Sequence, residues 1–150
     1  MLKPFVVIAL ALAPAVALAG GCPAGHAGVD VRPANATPAK GVADTVLTTI
    51  DVAHEPAAIA DRSFRLRRLE IAPGGVVPWH SHGERPAIIY VVAGTVTEYA
   101  STCDVPIVHT TGEAVAELHA TSHWWKNTGK TKAVLLSSDL LKVGADGHMM

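Results

Sequence analysis

The chain has 150 residues, 49 % of them hydrophobic, and a formal net charge of −1 with its histidines neutral. That length excludes two ordinary domains and suffices for one with a buried core. The near-neutral balance gives no electrostatic reason to expect a nucleic-acid partner.

The first 19 residues, MLKPFVVIALALAPAVALA, run from one early cation, Lys3, through an apolar stretch to small residues. Ala17-Leu18-Ala19 is an A-x-A cleavage signal, so a signal peptide and export to the periplasm or beyond are expected. The apolar run falls short of the ~20 residues a bilayer requires, and Pro14 interrupts it, so no transmembrane span is expected in the mature chain. A lipoprotein anchored at Cys22 is the alternative: LAGGC resembles a bacterial lipobox, with Ala19 where leucine is usual. Residues 20–44 are rich in Ala, Gly and Pro without a sustained period, which reads as a flexible linker. A Cys22–Cys103 disulfide is permitted in an oxidising compartment, but the placement of Cys22 in that linker argues against it.

From about Thr45 to residue 143 the texture changes. VLTTIDVA, FRLRRLEIA, AIIYVVAG, TVTEYA, PIVHTT, AVAELH, HWWKN and AVLLSSDLLKV are short runs rich in β-branched or aromatic residues. Turn signals separate them: PGG at 73–75, AGT at 93–95, TGE at 111–113 and NTGK at 127–130. Such spacing, with no convincing amphipathic helix, predicts an all-β sandwich or barrel. Arg65, Arg67 and Arg68 cluster in RSFRLRRLE among apolar positions, and are expected on a solvated strand face. Residues 144–150 read as a tail.

WHSHGERPA carries the chemistry. On a strand, side chains alternate faces, so His80 and His82 share one face with Cα atoms ~6.6 Å apart. Two imidazoles at that spacing can converge on one ion, with metal–nitrogen distances of ~2.0–2.1 Å. A third ligand must come from elsewhere, and HATSHWWKN offers His119 and His123.

These residues resemble the two motifs of the cupin superfamily. In the first, Gly74 precedes five residues, then His80-Ser81-His82, and Gly94 closes the motif. In the second, Gly112, His123 and Asn127 fall on their positions, while Leu118 and Ala120 replace the usual Pro and Gly. The 17 residues between Gly94 and Gly112 fit a compact inter-motif region. The resemblance implies a single antiparallel jelly-roll β-barrel with a metal near one mouth, held by His80, His82 and His123. It also implies a small-molecule ligand or substrate and a homodimer.

The resemblance places a fourth ligand, a glutamate, where this chain has Ala87, and alanine cannot ligate. Three readings stay open: the three histidines suffice and leave positions for water or substrate; Glu84 or His119 steps in; or metal binding has decayed. Nitrogen-only ligation suits Fe(II), Zn, Ni or Cu. Without a carboxylate ligand the centre carries more positive charge, which favours an anionic substrate. Trp125 shares the face of His123 and is a candidate pocket wall, with Tyr90 a weaker one. Asn127 and Glu113 are candidates to orient a ligand. His109 and His54 are expected to be structural or at the surface. An oxygen-dependent dioxygenase is one expected function, and a non-catalytic binding module is the other, since one fold hosts many functions.

Overall fold

The computed structural model describes residues 21–28 and 38–145; the proposed signal peptide and the final residues of the tail lie outside them. Eight strands follow one another: β1 (Lys40–Asp51), β2 (Arg62–Ser81), β3 (Ala87–Ala93), β4 (Thr95–Ala100), β5 (Ile107–Thr110), β6 (Ala114–Glu117), β7 (Ser122–Lys126) and β8 (Ala133–Lys142). The pairings are antiparallel and run β5-β4-β7-β2-β8-β3-β6, with β1 added against β2. All eight sequence runs form strands, and the sheet curls into the expected jelly-roll barrel. Among the described residues no helix is long and apolar enough to cross a membrane.

Alternation explains the walls. Ala87, Ile89 and Val91 of β3 are buried while Ile88, Tyr90 and Val92 are exposed, and Ala133, Leu135, Ser137 and Asp139 repeat the inward parity on β8. A one-residue slip would turn each of these sets outward, so burial fixes the register. Leu69, Ile71, Val77, Val96 and Trp125 join them in the main core.

β2 is the structural axis. Its first half pairs with β1 and β8, the latter through Ile71↔Ala133, and from Val76 onward it pairs with β7. The PGG at 73–75 is therefore a corner within one strand and not the turn between strands that the sequence predicts. Gly74 supplies the left-handed backbone, with φ of +73°. A Cβ on Gly75 would lie 2.8 Å from Ala72 O and 2.8 Å from Ile71 Cγ2, so the corner admits no side chain there. Asn127 locks it: Nδ2 donates to Ile71 O and Thr131 O, both at 2.8 Å, and the Asn127 backbone exchanges hydrogen bonds with Gly74 and Gly75. Asn127 thus shapes the strand that carries the histidines and does not orient a ligand directly.

The amino-terminal segment is tied to the barrel. Cys22 and Cys103 form a disulfide, Ala27 pairs with Cys103, and His26 Nδ1 lies 2.7 Å from Asp104 Oδ1. Composition argues against this bond because it does not register that Cys22, Val105, Ala100 and Ile107 pack as a second small apolar cluster around Cys103.

Candidate metal centre

His80 and His123 face each other across the β2–β7 ladder. His82 follows the end of β2, its N–H donating to Thr121 O at 2.9 Å. The three rings converge through one atom each: Nε2 to Nε2 distances are 3.1 Å for His80–His82, 3.0 Å for His82–His123 and 3.0 Å for His123–His80. The other ring nitrogens fix the tautomers. His80 Nδ1 lies 2.9 Å from Pro78 O, and His82 Nδ1 lies 2.8 Å from Arg85 O. A carbonyl only accepts, so both Nδ1 atoms carry the proton and both Nε2 atoms present lone pairs. His123 Nδ1 donates in the same way to Glu98 Oε1 at 2.7 Å. Three lone pairs aimed at one point repel unless a cation sits between them. Two nitrogens ~2.1 Å from one ion, at about a right angle, stand about 3.0 Å apart, which is the spacing here. The residues present fit a metal.

Burial keeps His80 and His82 neutral. It lowers the His80 pKa to about 2, with the neighbouring His123 adding to the effect, and lowers that of His82 to about 4 in the same way. Neutral imidazole is the ligating form.

Behind His123 lies a second, acidic layer. The Glu98 carboxylate accepts from His123 through Oε1 and from His109 Nε2 through Oε2 at 2.9 Å. Burial pushes the Glu98 carboxyl up, but the hydrogen bonds from His109 and His123 outweigh it and hold the group below the usual carboxylate range. Glu117 Oε2 lies 3.5 Å from His123 Nδ1, and burial together with the Glu98 charge raises its pKa far above that range. Glu98, Glu117 and His123 form a second cluster with metal-ligand geometry, but His123 Nδ1 is already committed to Glu98. His109 stacks on Trp125, ring centroids 4.8 Å apart. Trp125 presents its indole N–H to the His123 ring, the planes meeting at 85°.

The expected residues divide as follows. His80, His82 and His123 come together. Ala87 is buried at the start of β3, and its cross-strand partner is Glu117. A carboxylate therefore does approach from that side, but from β6, and it meets the rear nitrogen of His123. Glu84 is exposed and faces Lys142 at 3.7 Å, because the chain leaves β2 after Ser81 and alternation stops. His119 is exposed beyond the end of β6. Neither joins the Nε2 triangle. Trp125 lines the cavity beside the histidines, while Tyr90 points outward from β3 and is 44 % exposed. Glu113 accepts from the Thr110 N–H at 2.7 Å in a turn and is remote from the centre.

His109, expected to be structural or at the surface, is fully buried and belongs to the site's hydrogen-bond network. One expectation is overturned. Arg65 and Arg67 point inward: Arg65 makes a two-point contact with Asp139 at 2.9 and 2.8 Å, and Arg67 pairs with Asp44 at 2.6 Å. Only Arg68 lies on the exposed face. The missed residues share one signal. Glu98, Glu117, Arg65, Arg67 and Asp139 occupy the same strand parity as buried Val96, Val115, Leu69 and Leu135.

The histidines open onto a cavity of about 20 Å³. Leu69, Val77, Ile89, Trp125 and Leu135 make its apolar wall, and Arg67 and Ser137 add polar groups. The volume exceeds the ~10–15 Å³ needed for one water, so a water-sized guest has room beside the three Nε2 atoms.

A cupin-domain family model matches residues 67–139. Auxin-binding protein ABP19b of Prunus persica is 32 % identical over 76 residues, which cover 49 % of this chain and 36 % of that protein. A recombinant oxalate oxidase solved in complex with glycolate superposes with a TM-score of 0.52 at 25 % identity, covering 75 % of this chain and 54 % of that one. The cupin domain of Schizosaccharomyces pombe Cnp3 superposes with a TM-score of 0.53 at 14 % identity, covering 70 % and 66 % of the two chains, a likeness of fold. The chain thus spans about a third of the curated relative and half of the oxalate oxidase. With both histidine motifs in order on one jelly roll and the family match lying over them, the chain belongs to the cupins.

Proposed function

We propose that this protein is an exported cupin that holds a divalent transition metal through His80, His82 and His123 and acts on a small organic molecule, with oxygen-dependent oxidation as the reaction class. The observation that carries the reading is the Nε2 triangle with 3.0–3.1 Å sides, each ring oriented from behind by an acceptor. Bound there, the ion supplies a Lewis-acid or redox centre whose other positions the three histidines leave open. Glu98 holds the His123 Nδ1 proton and so keeps Nε2 basic. Leu69, Val77, Ile89 and Leu135 exclude bulk water. The likeness to an oxalate oxidase supports the reaction class. The Cys22–Cys103 disulfide supports export, because such bonds persist in oxidising compartments, and it leaves no Cys22 thiol for acylation.

The test is the metal content of protein prepared from its native compartment, wild type beside His123→Ala. Stoichiometric metal lost in the variant supports the centre, and absence from both removes it. Fe(II), Zn, Ni and Cu are separated by the same elemental analysis. A second reading, a non-catalytic module that captures a small molecule or metal, is favoured by one observation: among the described residues, those lining the cavity include no carboxyl group and no further histidine to serve as acid or base. Oxygen uptake with a panel of small acids separates the two. A homodimer is part of the proposal, supported by exposed Ile88, Tyr90 and Val92 on the outer face of β3, and is tested by sedimentation.

A further inference from the structure

Behind His123, where Glu98 and Glu117 meet its Nδ1, lies a second cavity of about 110 Å³, several times larger than the one beside the Nε2 atoms. Glu98 and Glu117 line it, Thr102 and Thr121 add hydroxyl groups, and Gly21 and Cys22 bound it from the amino-terminal segment. Ala100 of β4 and Val115 of β6 line the same cavity and share strand parity with the two glutamates. Alternation therefore turns both carboxyl groups to the cavity's side of the sheet.

Two observations mark this cavity as a cation's place. Glu117 is 1 % exposed; its Oε2 lies 3.5 Å from His123 Nδ1, and its Oε1 is buried without a partner. A buried acceptor left unpaired is costly, and each one in a folded protein calls for an explanation. The second observation is charge. Among the described residues no lysine or arginine lines the cavity, and Glu98 and Glu117 are approached only by histidine rings. Buried charges are ordinarily paired or bound to a metal. A proton on Glu117 relieves the repulsion from the Glu98 charge; a cation between the two groups relieves it too and also gives Oε1 a partner.

Spacing and ligand type select the ion. One oxygen from each carboxyl group and one His123 nitrogen lie within 4.8 Å of one another. Calcium, with ligand oxygens at ~2.3–2.6 Å, bridges two of them up to ~5 Å apart and so spans that whole range, whereas magnesium at ~2.0–2.1 Å reaches only ~4 Å. His123 Nδ1 is committed to Glu98, which leaves an all-oxygen set of the kind calcium takes. At ~30 Å³ per water, the volume holds the ion with a few waters.

We propose that Glu98 and Glu117 form a calcium site inside the barrel, behind His123 and separate from the Nε2 triangle, with water and the threonine hydroxyls completing the shell. The site stands whether or not a transition metal occupies the three histidines.

The experiment follows the side-chain carboxyl resonances of the glutamates in the ¹³C-labelled, disulfide-bonded protein. Calcium chloride is titrated to about 10 mM, beyond the weakest ordinary calcium sites, and magnesium chloride is titrated separately. Each signal is assigned through its own backbone, so no variant is needed, and the exposed Glu55 and Glu84 serve as internal controls. The expected result is a saturable shift of the Glu98 and Glu117 signals with calcium, with magnesium binding at least about tenfold more weakly. Glu117→Gln, which keeps the shape and gives up the charge, weakens calcium binding at least about tenfold. Unmoved Glu98 and Glu117 signals overturn the proposal, as do shifts no larger than those of Glu55 and Glu84, an equal response to magnesium, or unchanged calcium affinity in folded Glu117→Gln. If that variant does not fold, the wild-type titration decides alone.

Discussion

Glu98 accepts a 2.7 Å hydrogen bond from His123 Nδ1 through one oxygen while the other accepts from His109 at 2.9 Å. One buried carboxylate therefore sets the tautomer of a proposed ligand and anchors the histidine that stacks on Trp125. Orientation from behind a ligating imidazole is worth ~10–100-fold in metal affinity. Glu98→Gln should weaken zinc binding by about that factor, measured by chelator competition, while the fold is retained. An unchanged affinity would show that β2 and β7 alone hold His123.

Acid should release the metal late. The His80 and His82 pKa values lie at about 2 and about 4, below the ordinary 6.5. Because the folded-state values are depressed, protons bind the unfolded chain first, and the stability these groups contribute above pH 6.5 is lost as pH falls toward 4 and below. Thermal melts of the metal-free protein should show that acid limb beginning near pH 6.5. Replacing His80 with Gln removes its share.

Glu117 has the opposite sign. Its folded-state pKa is raised above the ordinary 4.5 by burial and by Glu98, so its contribution is fully present below pH 4.5 and declines as pH rises through the folded value. Glu117→Gln keeps the shape and cannot ionise. The variant should lose the alkaline decline in melting temperature that the wild type shows, and a parallel decline in both would argue against a protonated Glu117.

On β8, Asp139 accepts from Arg65 twice and stands near Arg67 and Arg85. Removing one partner of a buried ion pair costs about 3–5 kcal/mol because the cations stay buried and unpaired. Asp139→Asn should lower stability by that order in urea titration. The exposed Arg68–Glu70 pair should contribute under about 1 kcal/mol.

The disulfide spans 81 residues of sequence. Constraining an unfolded loop of that order contributes about 2–4 kcal/mol. Cys22→Ser, or reduction of the wild type, should lower the unfolding free energy accordingly and expose the face of the barrel that the Cys22 segment covers. Denaturant unfolding with and without reductant is the measurement.

The strands and the histidines were legible because period-2 alternation and a spaced His-x-His motif are local signals. The ionic half of the interior was not. A charge in RSFRLRRLE or TVTEYA reads as solvent-facing until its partner is known, and the partners are distant: Asp139 lies 74 residues from Arg65, and His123 lies 25 from Glu98. Parity held the information, since Glu98 keeps step with buried Val96 and Ala100, but polarity argued the other way. The Ala87 gap was visible, whereas Glu117 opposite it appears only once β3 and β6 are paired.

The bent strand β2 carries both Arg67 and His80, on either side of the Gly74-Gly75 corner. Chain length between those two positions is therefore a ruler for the interior. A residue inserted or deleted there would leave every hairpin able to form, yet would turn one of the two inward groups to solvent. Loops elsewhere can lengthen across evolution or design, but this stretch of main chain has to keep its count.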